Sequence, residues 1–207
     1  MGAKDWLLVY SDGDARKILQ SRPVLDRVAA AAVAGRLHPD RTVTPIDDGT
    51  FEESLNPEDG EIYVAAYPGL TIVSTSDAAE DYPSLISRTL RDAVPAREVY
   101  LHAMHSAVDW FAFAIWTDGV LRRALSLSPD SGLMENLGTP LPFEAPYWAG
   151  ERAIESEPDD HPYPLPFHPL DLAEQALREL LGFCIEGEIA ADDLDVRELP
   201  MAGFAIT

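Results

Sequence analysis

Two carboxylates, Asp12 and Asp14, flank a glycine just after the apolar run at residues 6–10. Oxygen ligands at the end of a strand suit a divalent ion such as Mg²⁺, which would activate water for phosphoester-like hydrolysis. The same residues have a plainer use, with Asp12-Gly13 making a turn and Asp14 capping a helix. A second group joins His102, His105 and Asp109. Strand positions three apart face opposite ways, so His102 and His105 share an ion only if the chain bends between them. His105 can join Asp109 near a turn, and His161 or His168 can approach from a later proline-rich stretch. Glu144 is the third candidate, close to Tyr147 and Trp148. A carboxylate beside aromatic rings on a helix's first turn can be an acid or base of raised pKa, or can complement the helix dipole. Nothing in the sequence identifies a partner carboxylate for it.

Such groups act only where the backbone holds them, and residues 97–127 define most of that frame. Residues 110–117 are aromatic and β-branched enough for a strand, and Asp118-Gly119 is the dipeptide favoured by a two-residue type I′ turn. Residues 120–127 then return as its partner. With that turn, Trp116 falls beside Leu121, Ala114 beside Arg123 and Ala112 beside Leu125, while Phe111, Phe113 and Ile115 take the other face. Neither face is polar, so both must be covered and the hairpin belongs inside a sheet. Arg122 and Arg123 point to opposite faces, so at least one needs a carboxylate partner under cover.

Elsewhere, residues 6–10 read as a strand and residues 61–67 and 70–75 as a second hairpin around Pro68-Gly69. Helices are expected at 15–20, at 23–36 with Val28, Ala32 and Leu37 along one stripe, at 82–94, at 143–151 and at 170–181. A short strand at 42–46 and terminal strands at 183–185 and 197–206 complete the set. Residues 155–168 are rich in proline and acids and make an irregular strap, whose Tyr163, Leu165 and Phe167 would lie over the core. The expected fold class is α+β, a mainly antiparallel central sheet built from hairpins with helices packed on it, in a single domain over residues 1–207.

Composition narrows the function classes. The chain has 207 residues, 36 acidic against 15 basic, and a formal net charge of −21. That field repels phosphate backbones and anionic lipid, so neither nucleic acid nor membrane is an expected partner, whereas a basic protein is. Lys4 and Lys17 are the only lysines. Neither a P-loop nor a catalytic lysine late in the chain can be built. The lone Cys184 sits between Phe183 and Ile185, a setting for an inert thiol. Without a disulfide pair, a signal-peptide pattern or a membrane-length apolar run, the expected location is cytoplasmic and the expected state soluble.

The segments GAKDWLLVYSDGD, VYLHAMHSAVDWFAFAIWTDGVLRRALSLSPDSG, LPFEAPYWAG and PLPFHPLDLAEQALRELLGF resemble a family of uncharacterised proteins of high-GC Gram-positive bacteria. This resemblance implies a single-domain unit and nothing about a substrate, and it transfers no catalytic residue; no cofactor is expected beyond the divalent metal of a hydrolase. Asp12-Gly13-Asp14 also resembles the opening motif of haloacid-dehalogenase-type phosphatases, but Ala15-Arg16 departs from it and that family's later lysine is missing. The strand, Asp-Gly turn, Arg-bearing strand and proline-rich loop further resemble small immunity-type proteins that neutralise a toxin by binding it. The leading expectation is a non-catalytic module that docks a basic protein. The alternative is a metal-dependent hydrolase using Asp12 and Asp14, with His105 or Asp109.

Overall fold

The computed structural model describes residues 4–154 and 163–207. The first half of the proline-rich strap, residues 155–162 with His161, therefore lies outside the described residues. The ten strands are β1 (Lys4–Ser11), β2 (Val43–Pro45), β3 (Gly49–Thr50), β4 (Glu61–Tyr67), β5 (Leu70–Ser74), β6 (Glu98–His105), β7 (Trp110–Thr117), β8 (Val120–Ser128), β9 (Gly132–Gly138) and β10 (Pro200–Ile206). They form a sheet in the order β2-β10-β4-β5-β1-β6-β7-β8-β9, with β3 also on β10 and every pairing antiparallel. The helices are α1 (Ala15–Gln20), α2 (Arg27–Leu37), α3 (Phe51–Ser54), α4 (Arg88–Arg91), α5 (Ala145–Trp148) and α6 (Pro169–Leu180). The large antiparallel sheet with helices upon it is as expected, with a modest helical share.

The hairpin β7–β8 turns at Asp118 and Gly119, whose φ angles of 51° and 73° are the positive values that a type I′ turn requires. Both neighbours of β7 are strands, so it is interior. Its far register corrects the expectation. Ile115 pairs with Arg123 but Trp116 pairs with Leu121, leaving Arg122 as an extra residue on β8. This bulge shifts all that follows by one, so Ala114 meets Ala124, Ala112 meets Ser126, and Arg123 crosses to the Phe113 face.

Registers across the sheet define two covered faces. Leu7, His102, Phe113 and Leu125 share the front, where α6 packs on β6 and β7. Leu8, Leu101, Ala114 and Ala124 share the back, which α2 covers at β4 and β10. The chain between β5 and β6 covers the back elsewhere; the Tyr10 hydroxyl donates to the Leu90 carbonyl, and the Ser84 hydroxyl and amide both donate to Glu135.

Three helices differ from the sequence reading. The Asp26 carboxylate accepts from the Val28 and Ala29 amides, so α2 starts at Arg27 and leaves residues 23–25 outside it. Its core face is Ala30, Val33, Ala34 and Leu37, with Val28 83% exposed, because a run of alanines carries too little contrast to mark a face. Between Tyr82 and Val94 the chain forms only a 3-10 turn at Pro83–Leu85 and the single turn of α4. Extended Ile86 interrupts them and Ser87 caps anew, which leaves Leu85 71% exposed. A 3-10 turn at Pro142–Glu144 leads into α5, so the helix expected at 143–151 ends early. At the C-terminal end only Pro200–Ile206 is a strand, and residues 183–185 are not.

Candidate functional site

The sequence candidates do not come together at one place. Asp12 and Asp14 follow β1, and Ser11 pairs with Glu98 there. One Asp12 oxygen accepts the Arg97 amide at 3.1 Å. Asp14 caps α1 through the Lys17 amide at 3.1 Å and pairs with the Lys17 ammonium at 3.0 Å. Those hydrogen bonds hold the Asp14 carboxyl below its ordinary range. His105 pairs with Lys4 at the opposite end of β1. Seven strand steps separate the two ends, about 23 Å at a strand's rise per residue. Asp12 and Asp14 therefore share no cleft with His105 or Asp109, and among the described residues no three His, Cys, Asp or Glu side chains are grouped to hold a metal ion.

Glu144 is fully buried and so is its partner, Arg123. The guanidinium grips the carboxylate with two hydrogen bonds, 2.9 Å from Nε and 2.6 Å from Nη2. Nη1 donates to the Asn136 side chain at 2.6 Å and the Leu137 carbonyl at 2.9 Å. Glu144 also accepts from the Leu141 amide and the Trp148 indole, so its oxygens are committed to holding the 142–148 turn against β8. It is the covered carboxylate that the paired arginines demanded.

His102 and His105 face opposite sides of β6, as their spacing requires. On the front, His102 Nδ1 lies 2.7 Å from an Asp5 oxygen and Nε2 lies 3.0 Å from the Ala173 carbonyl. A carbonyl only accepts, so Nε2 carries a proton and a second proton bridges Nδ1 and Asp5. Burial raises the Asp5 pKa. It opposes charge on His102 as well, but the Asp5 carboxylate and the hydrogen bonds outweigh it, and the His102 pKa rises too. With relative exposures of 2% and 0%, the pair meets no solvent.

On the back, His105 forms part of a solvent-facing cup of about 330 Å³ at the end of β1, β6 and β7. Trp6 and Trp110 line it with their ring centroids 6.0 Å apart, and the His105 ring meets Trp6 edge-on at 6.1 Å. Adjacent strands place these three on one face: Trp6 pairs with Ala103 and Trp110 with His105. The Trp6 indole is oriented by Asn56 Oδ1 at 2.8 Å. Met134 of β9 also lines the cup, and Asp81 and Asp130 stand at its rim on the loops after β5 and β8. Burial first, and the neighbouring Lys4 charge second, push the His105 pKa down, so the ring is neutral at pH 7.

Asp109 is not in the cup. Its left-handed backbone, φ 47°, ends the turn before β7, and its carboxylate lies 3.5 Å from His168 Nε2. His168 caps α6 through Nδ1 and stacks on Tyr163, so this end of the strap does come to Asp109. Phe167 is buried with its ring edge-on to Tyr147 and Trp148. Burial raises the pKa of Cys184, the direction of an unreactive thiol.

Sequence reasoning missed the two tryptophans of the cup and Asp5. Alternation along each strand places every one of them on its face. The missing information was that β1 lies beside β6, a pairing between segments almost a hundred residues apart.

No helix among the described residues is long and apolar enough to cross a membrane. Comparison with curated proteins and with solved structures finds no match. One family profile does match, over residues 5–204. That span takes in the central strand, the aromatic cup, the Arg123–Glu144 pair and almost all of β10, so the chain belongs to the family of unknown function DUF6928.

Proposed function

We propose that this protein is a non-catalytic docking module for a basic protein, acting in the cytoplasm of a high-GC Gram-positive bacterium. One observation carries the reading. The loops at the cup end of the sheet bring forward Glu58, Asp59, Asp77, Asp81 and Asp130, all exposed, and none is ion-paired to a Lys or Arg among the described residues. At the opposite end Asp14 pairs with Lys17 and Glu198 pairs with Arg22. Exposed, unpaired carboxylates gathered there would steer a cationic partner to that end and repel nucleic acid.

The test is retention of host proteins on the immobilised full chain at low salt. Basic proteins should be retained and then released as salt rises. The triple variant Glu58→Lys, Asp59→Lys, Asp81→Lys should abolish retention, whereas Asp118→Lys with Glu179→Lys at the opposite end should leave it. Equal loss from both sets, or no retained basic protein, would overturn the reading.

A further inference from the structure

The aromatic cup has a chemistry of its own. Tryptophan attracts cations through its ring quadrupole more strongly than tyrosine or phenylalanine does, and two tryptophans line this recess. The third ring, His105, is held neutral and adds no repulsion. Asp81 and Asp130 stand at the rim without an ion pair among the described residues. An apolar or anionic occupant would cover those carboxylates and leave them unpaired, which is unfavourable. The volume of about 330 Å³ sits at the lower end of the ligand-pocket range of roughly 300–1,000 Å³ and has room for a single side chain.

We infer that the cup bounded by Trp6, His105 and Trp110, with Asp81 and Asp130 at its rim, receives the ammonium of a lysine side chain or the guanidinium of an arginine presented by the basic partner. This deepens the docking reading and rests on it for the source of the cation. Lys4 opposes it. Its register opposite His105 sets a positive charge beside the cup, so removing that charge should strengthen binding.

The experiment uses the ¹⁵N-labelled full chain and Nα-acetyl-lysine amide, whose ε-ammonium is free, as probe, with sodium chloride at equal ionic strength as control. The chain has four tryptophans and hence four indole signals. Those of Trp6 and Trp110 should move saturably, while those of Trp116 and Trp148 stay in place. Asp81→Asn with Asp130→Asn should weaken the probe about threefold, and Lys4→Gln should tighten it about twofold, the scale of exposed ion pairs. Neither change removes a core side chain. Shifts no larger than with sodium chloride, or equal at all four indoles, would overturn the inference.

Oligolysine separates the two ideas. If it binds the acidic end with the Trp6 and Trp110 signals unmoved, the docking reading survives and the cup assignment falls. If acetyl-lysine amide saturates the cup while neither oligolysine nor any basic host protein is retained, the cup assignment survives and the docking reading falls.

Discussion

Asp5 and His102 show what a single pair of residues can impose. In the unfolded chain His102 releases its proton near pH 6.5, while the folded pair holds it because both pKa values are raised. Folding therefore takes up about one proton above that pH, and stability should fall by about 1.4 kcal/mol per pH unit until the pair itself deprotonates. The contribution is fully present below pH 6.5 and is lost as pH rises through the folded value. Urea unfolding between about pH 6.5 and pH 7.5 reads this slope, below the ordinary range of Tyr and Cys ionisation. Asp5→Asn combined with His102→Gln should flatten it, and an unchanged slope in that double variant would assign the proton elsewhere. The sequence showed His102 as a candidate and placed it opposite His105. It could not show Asp5 beside it, because pairing across the sheet is set by long-range packing and leaves no local pattern.

Between elements, the bulge at Arg122 decides which arginine goes inside. Were β7 and β8 in unbroken register, Arg123 would share a face with Ala114, as the sequence reading had it; the extra residue turns it toward Phe113 and Glu144. The Arg123 Cζ then stands 5.8 Å from the centre of the Phe113 ring. Glu144→Ala should destabilise by about 3–5 kcal/mol, because it leaves a buried guanidinium without its counter-charge. The apolar double variant Arg123→Met, Glu144→Leu should cost clearly less than the single change, and chemical denaturation of both distinguishes a trapped charge from lost packing. Asp118-Gly119 was legible because a two-residue turn is a local event. The bulge was not, since nothing in the run from Val120 to Ser128 says where a ladder skips. Likewise the spacing around Leu85 mimicked a helix that the backbone at Ile86 and the cap at Ser87 interrupt.

For the molecule as a whole, the charge of −21 has two separable effects. Self-repulsion weakens the compact state, and salt relieves it. Raising ionic strength from about 0.01 M to about 0.15 M shortens the screening length from about 30 Å to about 8 Å, so Tm should rise over that interval. Calorimetry at fixed pH checks it, and a flat Tm would mean that the carboxylates are neutralised locally. The same salt should loosen a docked basic partner, so stability and partner retention move in opposite directions. Composition made the excess of acid plain from the start. That Glu58, Asp81 and Asp130 share one end became visible only once the strand directions were known, since they are far apart in the chain.

The place of β1 bears on how the chain reaches this state. It is the strand made earliest, yet its neighbours are β5 and β6, and β10 must arrive last to pair with β4, with Ala202 against Val64. During synthesis the run Trp6 to Tyr10 waits with both edges open until some seventy and then a hundred residues have followed. Non-local pairing of this kind closes late in folding and leaves strand edges open in the meantime.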